Sequence, residues 1–123
     1  MAGIFGDAIN SRTDFFRRLG QAQQEIRKVL SRLPNEPTLL SVKKQLDAIG
    51  KWTANGRRPT VDERKSLDMA LRMFREFETT DDVEIHRLRK TVSGVNHYVL
   101  FWPDDKTAAD PKNSDYLFIA DVK

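Results

Sequence analysis

Apolar residues recur at spacings of three and four through the first half of the chain. Phe16, Leu19, Ile26, Leu30 and Leu33, with Gln23 in the same register, share one side of a 3.6-residue repeat and predict a helix from about Ser11 to Arg32. Ile4, Phe5, Ala8 and Ile9 extend that stripe backwards, while Asn10-Ser11 with Asp14 three positions on forms a fresh N-cap signal. Pro34 stops the helix, and Asn35-Glu36-Pro37-Thr38 supplies a cap and a first-turn proline for the next one. Its stripe is Leu39, Val42, Leu46, Ile49 and Trp52, ending near Thr53 before the left-handed signal Asn55-Gly56.

Thr60-Val61-Asp62-Glu63 has the form of a capping box, in which the threonine hydroxyl and the glutamate carboxylate each accept a free N-terminal amide. The helix expected from it runs to about Glu78 and turns Leu67, Ala70, Leu71, Phe74 and Phe77 inward. Beyond Asp81-Asp82 the composition shifts towards β-branched and aromatic residues: Val83, Ile85, Leu88 and Val92, then Ser93-Gly94, then Val95 to Trp102. This predicts a hairpin turning at Ser93-Gly94, followed by a polar loop from Pro103 to Ser114 and a third strand over Tyr116-Leu117-Phe118-Ile119-Ala120.

The expected fold is therefore α+β, with three amphipathic helices followed by a three-stranded antiparallel β-meander in a single domain over residues 1–123. The helical part covers about 4–78 and the sheet about 82–122. The expected core is Phe16, Leu19, Ile26, Leu30, Leu46, Ile49, Leu67, Leu71, Phe74, Val99, Phe101 and Phe118.

Length and composition agree with one packed domain. The 123 residues are 39% hydrophobic and include 7 Phe and 2 Trp, enough large apolar groups for a core. No cysteine is present, which removes disulfides, thiolate nucleophiles and Cys-ligated metals. The N-terminal residues lack a basic segment followed by an apolar run, and no stretch is apolar for about eighteen residues, so a soluble, cytoplasmic protein without membrane contact is expected.

The net charge of +3 hides an asymmetry. Residues 1–75 hold 15 Lys and Arg against 8 Asp and Glu, a net +7, whereas residues 76–123 hold 6 against 10, a net −4. A positive helical part can attract nucleic acid or an acidic protein.

In the expected hairpin Val92 pairs with Val95, Lys90 with His97, Leu88 with Val99 and His86 with Phe101 on one face. The other face carries Val83, Ile85, Arg87, Arg89, Asn96, Tyr98, Leu100 and Trp102, so neither face is polar and the second needs cover. Tyr98, Leu100 and Trp102, flanked by Arg87 and Arg89 and rimmed by Asp104 and Asp105, are accordingly the candidate protein-binding surface, since Trp, Tyr and Arg dominate interface hot spots. The partner is another protein or a second copy in a homodimer, and the expected role is that of a small non-enzymatic inhibitor, immunity or antitoxin-like factor, adaptor or chaperone.

Catalytic chemistry finds no foothold. His86 and His97 have no ligand spacing, the serines lie in no nucleophile motif, and no glycine-rich loop follows a strand. Asp62-Glu63, Asp81-Asp82 and Asp104-Asp105 read as helix starts or solvated loops. No enzyme activity, cofactor or metal is expected. The alternative function is nucleic-acid binding by a winged-helix-like protein, with Arg57 and Arg58 in the turn and Arg64 and Lys65 on the third helix contacting phosphates.

Overall fold

The computed structural model describes residues 9–103, and among them it contains helices and no strand. The elements are α1 (Arg12–Arg32), α2 (Pro37–Trp52), a 3₁₀ turn (Ala54–Gly56), α3 (Val61–Lys65), α4 (Met69–Glu76) and α5 (Val83–Phe101). α1 packs on α2 and α5, and α4 packs on the same two helices, so the four surround a common core.

The first two helices agree closely with the sequence signals. Ser11 caps α1 by accepting from the Asp14 amide, and Pro37 occupies the first turn of α2. The α2 cap is Glu36 rather than Asn35, its carboxylate accepting from the Thr38 and Leu39 amides. At the end of α2, Asn55 and Gly56 take positive φ (63° and 79°), the conformation that lets the chain turn away at little cost in glycine and asparagine.

The third helix differs from expectation. The capping box forms, with Glu63 N–H donating to Thr60 Oγ1 at 3.1 Å and Thr60 N–H donating to Glu63 Oε1 at 2.9 Å. The helix then stops at Lys65. Ser66 turns its hydroxyl back to the Glu63 carbonyl, and Gln45 of α2 accepts the Asp68 amide while donating to the Asp68 carboxylate. Helix resumes at Met69 in a new phase, so Met69 and Met73 enter the core and Leu71 and Phe74 turn outward. Leu67 stays partly buried against the core.

The expected meander is overturned where the structure describes it. Val83–Phe101 is one nineteen-residue helix, and the fold of the described part is all-α rather than α+β. Ile85, Leu88, Val92, Val95, Val99 and Trp102 are buried at spacings of three and four, a helical stripe that β-branched composition disguised as strand. Asp82 caps this helix through the Glu84 and Ile85 amides, and Ser93-Gly94 is mid-helix rather than a turn. The expected third strand and the loop over 104–114 lie outside the described residues.

α5 lies antiparallel to α1 and is fastened at both ends. At one end Phe15 stacks on Tyr98 (centroids 4.9 Å, 18°) and meets Trp102 edge-on (5.3 Å, 86°). The Arg12 guanidinium sits 4.0 Å over the Trp102 ring and donates to Tyr98 Oη at 3.1 Å and the Pro103 carbonyl at 2.6 Å. At the other end Arg32 pairs with Asp82 at 3.1 Å and with Glu84 at 2.8 Å. Of the expected core, Leu19, Ile26, Leu46, Ile49 and Val99 are buried and Leu30 is packed partly against it. Phe16, Leu71, Phe74 and Phe101 are exposed instead, with Phe15 filling the place expected of Phe16. Phe118 lies outside the described residues.

The two assignments of residues 93–94 separate experimentally. A Cβ built on Gly94 meets only Ile9 Cδ1, at an ordinary 3.8 Å, and the backbone there is helical, so Gly94→Ala is expected to raise stability by about 0.5–1 kcal/mol in urea unfolding. In a two-residue hairpin turn the same substitution destabilises. Phe15→Ala is expected to cost about 3–5 kcal/mol by the same measurement, and Phe16→Ala, at 38% exposure, far less.

Candidate functional site

The break between α3 and α4 leaves two large apolar side chains exposed beside a cleft. With Met69 and Met73 locked inward, Leu71 lies some 200° round α4 from Met69 and Phe74 some 100° from Met73, at ~100° per residue. Both are about half exposed, at 50% and 52%. They border a groove of about 680 Å³ between α4 and α5, whose α5 wall is His86, Arg89, Lys90 and Ser93. Ala70 and Glu78 complete the lining. His86, Lys90 and Ser93 recur at spacings of four and three, and the same face continues through His97 to Phe101, whose rings lie 4.6 Å apart.

The groove is apolar along α4, carries the cations Arg89 and Lys90 along α5, and has one carboxylate in its lining, Glu78. Arg89 leans across it, its guanidinium 5.8 Å from the Phe74 centroid, and donates to the Phe77 carbonyl at 3.1 Å. That bond satisfies a carbonyl at the C-terminus of α4 and places positive charge where the helix dipole is negative. Lys90 is exposed beside it. The groove can hold an apolar side chain or a short amphipathic segment and can offer cations to its acidic flank.

The expected protein-binding residues are dispersed by the helix. Tyr98 and Trp102 do come together, but inside the core, with Trp102 only 4% exposed, so they hold the fold and present no sheet face. Trp102 also adopts a left-handed conformation (φ 30°) as the C-cap of α5, with its amide donating to the Tyr98 carbonyl at 2.7 Å. Leu100 is exposed and its carbonyl accepts from Arg64 at 3.2 Å. Arg87 lies on a separate cleft between α1 and α5 beside Lys28 and Glu84, while Arg89 alone reaches the α4–α5 groove. Asp104 and Asp105 lie outside the described residues.

The winged-helix arrangement loses its wing, because the segment expected to form the hairpin is α5. α3, at five residues, is also too short to lie along a nucleic-acid groove. Arg57 is held by both oxygens of Glu63 at 3.0 Å, Arg64 is turned to the Thr60 and Leu100 carbonyls, and Arg58 and Lys65 are exposed. Sequence inspection missed Leu71 and Phe74 as surface residues. The signal that could have found them was Met69-x-x-x-Met73, an alternative stripe in the same window.

Outside the groove lining, several carboxylates are held by ion pairs and helix caps. Asp82 is held below its ordinary value first by the hydrogen bond from Arg32 and then by the Ile85 amide, and Glu84 first by the hydrogen bond from Lys28, with Arg32 adding to it. The Arg32 guanidinium is pushed up, chiefly by its bond to Asp82. Asp68 is lowered mainly by Arg72 and then by Gln45, and Glu63 by the Thr60 amide ahead of Arg57. Among the described residues no group of three His, Cys, Asp or Glu side chains gathers as a metal site, and no helix is long and apolar enough to cross a membrane. No family model matches the chain, and neither does any curated protein or solved structure.

Because the folded-state values of Asp82 and Glu84 lie below their ordinary 3.8 and 4.5, their contribution is complete above those values and is lost as pH falls through the lowered ones. Urea unfolding of Asp82→Asn/Glu84→Gln is expected to show a lower midpoint than the natural chain at neutral pH. The two curves should converge under acid conditions, where both carboxylates are protonated in the folded protein as well.

Proposed function

We propose that this chain is a small non-enzymatic protein-binding factor that receives an acidic amphipathic segment in the groove between α4 and α5. The observation that supports this reading is the outward pair Leu71 and Phe74. Two large apolar side chains, each half exposed on an eight-residue helix, border a cleft instead of the core. Amphipathic helices bind such clefts by inserting apolar anchors at one-turn spacing. The cations of Arg89 and Lys90 along the opposite wall select an acidic flank, and through Coulomb steering they favour encounter with acidic over basic partners.

This replaces the sheet face expected from the sequence with a helical groove, and it moves the contact residues from Tyr98 and Trp102 to Leu71, Phe74, Arg89 and Lys90. The class of role, a binding factor acting on another protein, is kept.

The test is an NMR titration of the isotopically labelled chain with a synthetic amphipathic peptide of Leu, Phe and Glu, and with its counterpart carrying Lys in place of Glu. The acidic peptide is expected to shift the resonances of Leu71, Phe74, Lys90 and Ser93, with Phe74→Asp weakening it about ten-fold or more while leaving helix content unchanged. Equal binding of the basic peptide, or shifts spread evenly over the surface, would overturn the reading. Self-association that broadens the same resonances without peptide would assign the groove to a second copy.

A further inference from the structure

The cleft between α1 and α5, separate from the α4–α5 groove, has a volume of about 250 Å³ and a different chemistry. Gln21, Glu25 and Lys28 recur at spacings of four and three along its α1 wall, and Glu84 and Arg87 stand on its α5 wall. Lys28 and Glu84 pair with one another at 3.2 Å, and Arg32 takes the other oxygen of Glu84 at 2.8 Å, so these three charges are answered. Two groups are left over. Glu25 accepts from Gln21 Nε2 at 3.0 Å on one oxygen, while its Oε1 is shielded from solvent and has no hydrogen-bond partner among the described residues. Arg87 is exposed, and its guanidinium joins no ion pair among the described residues. A carboxylate oxygen that has lost water without gaining a donor carries the full desolvation cost of that loss. Glu25 and Arg87 thus line one cleft from opposite helices, each with a charge that the other does not reach.

We propose that this cleft binds a free α-amino acid with a small uncharged side chain, its ammonium group donating to Glu25 and its carboxylate accepting from Arg87. Unanswered opposite charges on facing walls call for a molecule that carries both charges a few bonds apart, which a simple cation or anion does not. The planar guanidinium of Arg87 matches a carboxylate in a two-pronged bond, and the shielded oxygen of Glu25 lacks the N–H donor that an ammonium group supplies. The volume equals that of about eight waters at ~30 Å³ each and falls below the roughly 300–1,000 Å³ of sites for drug-sized ligands, which suits a molecule of few heavy atoms. Val29, only 1% exposed, gives the cleft an apolar floor for the side chain, and the Lys28–Glu84 pair leaves no spare charge for a charged one. Such a ligand ties α1 to α5 between the two fastenings of their seam, and it does not depend on what enters the α4–α5 groove.

The test titrates the full labelled chain with glycine, L-alanine and L-valine in turn, following the side-chain amide of Gln21 and the Nε–H of Arg87 by NMR. N-acetyl-L-alanine and L-alaninamide, each lacking one of the two charges, are titrated beside them. At least one of the free amino acids is expected to shift both resonances saturably, and each blocked analogue to bind about ten-fold or more weakly. Glu25→Gln and Arg87→Gln, with helix content checked by circular dichroism, are each expected to weaken the amino acid about ten-fold and to leave the resonances of Leu71 and Phe74 where they were. The absence of a saturable shift at millimolar amino acid overturns the proposal. So does binding of the blocked analogues as tight as that of the free amino acid, or binding that survives both substitutions.

Discussion

The contact on which the described structure depends is the antiparallel seam between α1 and α5, whose ends lie more than eighty residues apart in sequence. Arg12 reaches 86 positions along the chain to Tyr98 and 91 to Pro103, and its guanidinium rests on Trp102 while Phe15 fills the space beneath. Such a contact closes a long loop, whose entropy grows only slowly with length, and it is made by groups that bury large apolar area. The second fastening, Arg32 to Asp82 and Glu84, is exposed and screened, and serves register more than stability.

With the seam in place the rest of the fold has few choices. α2 comes after α1 through a proline-limited connection and lays Leu39, Val42, Leu46 and Ile49 into the same core. The remaining side is closed by α4, a helix of only eight residues against the nineteen of α5. This mismatch in length, together with the phase change imposed by Gln45 on Asp68, leaves Leu71 and Phe74 outside and a cleft beside them. The candidate site is thus a by-product of how the ring of helices closes. Arg89 in this wall has a structural duty as well, since it binds the carbonyl of Phe77, the C-cap of α4.

One pattern in the charges ties these features together. The acidic residues at Asp82 and Glu84 are consumed by α1, and Glu63 by Arg57 and the Thr60 amide. Lys90 and Arg89, the latter also bonded to the Phe77 carbonyl, lie along the groove wall against a single lining carboxylate, Glu78. The acidic amphipathic segment proposed above would answer the apolar surface and these cations at once, through burial for affinity and through long-range attraction for choice of partner.

The sequence by itself determined the first two helices, the cap at Ser11, the capping box at Thr60 and the positive-φ close at Asn55-Gly56, because each rests on neighbours within four residues. It also contained the signals for α5, the Asp82 cap and the stripe Ile85, Leu88, Val92, Val95, Val99, but valine, isoleucine and aromatic side chains suit a strand equally well and Ser93-Gly94 imitates a turn. Tertiary structure decided between them. Burial against α1 rewards the period of 3.6, and the cost of about 1 kcal/mol for a glycine inside a helix is small beside the area that period buries. Likewise, both stripes of α4 are legible in the same window, and it is in the tertiary structure, where Gln45 of α2 binds Asp68 at the start of the helix, that Met69 and Met73, and not Leu71 and Phe74, face the core.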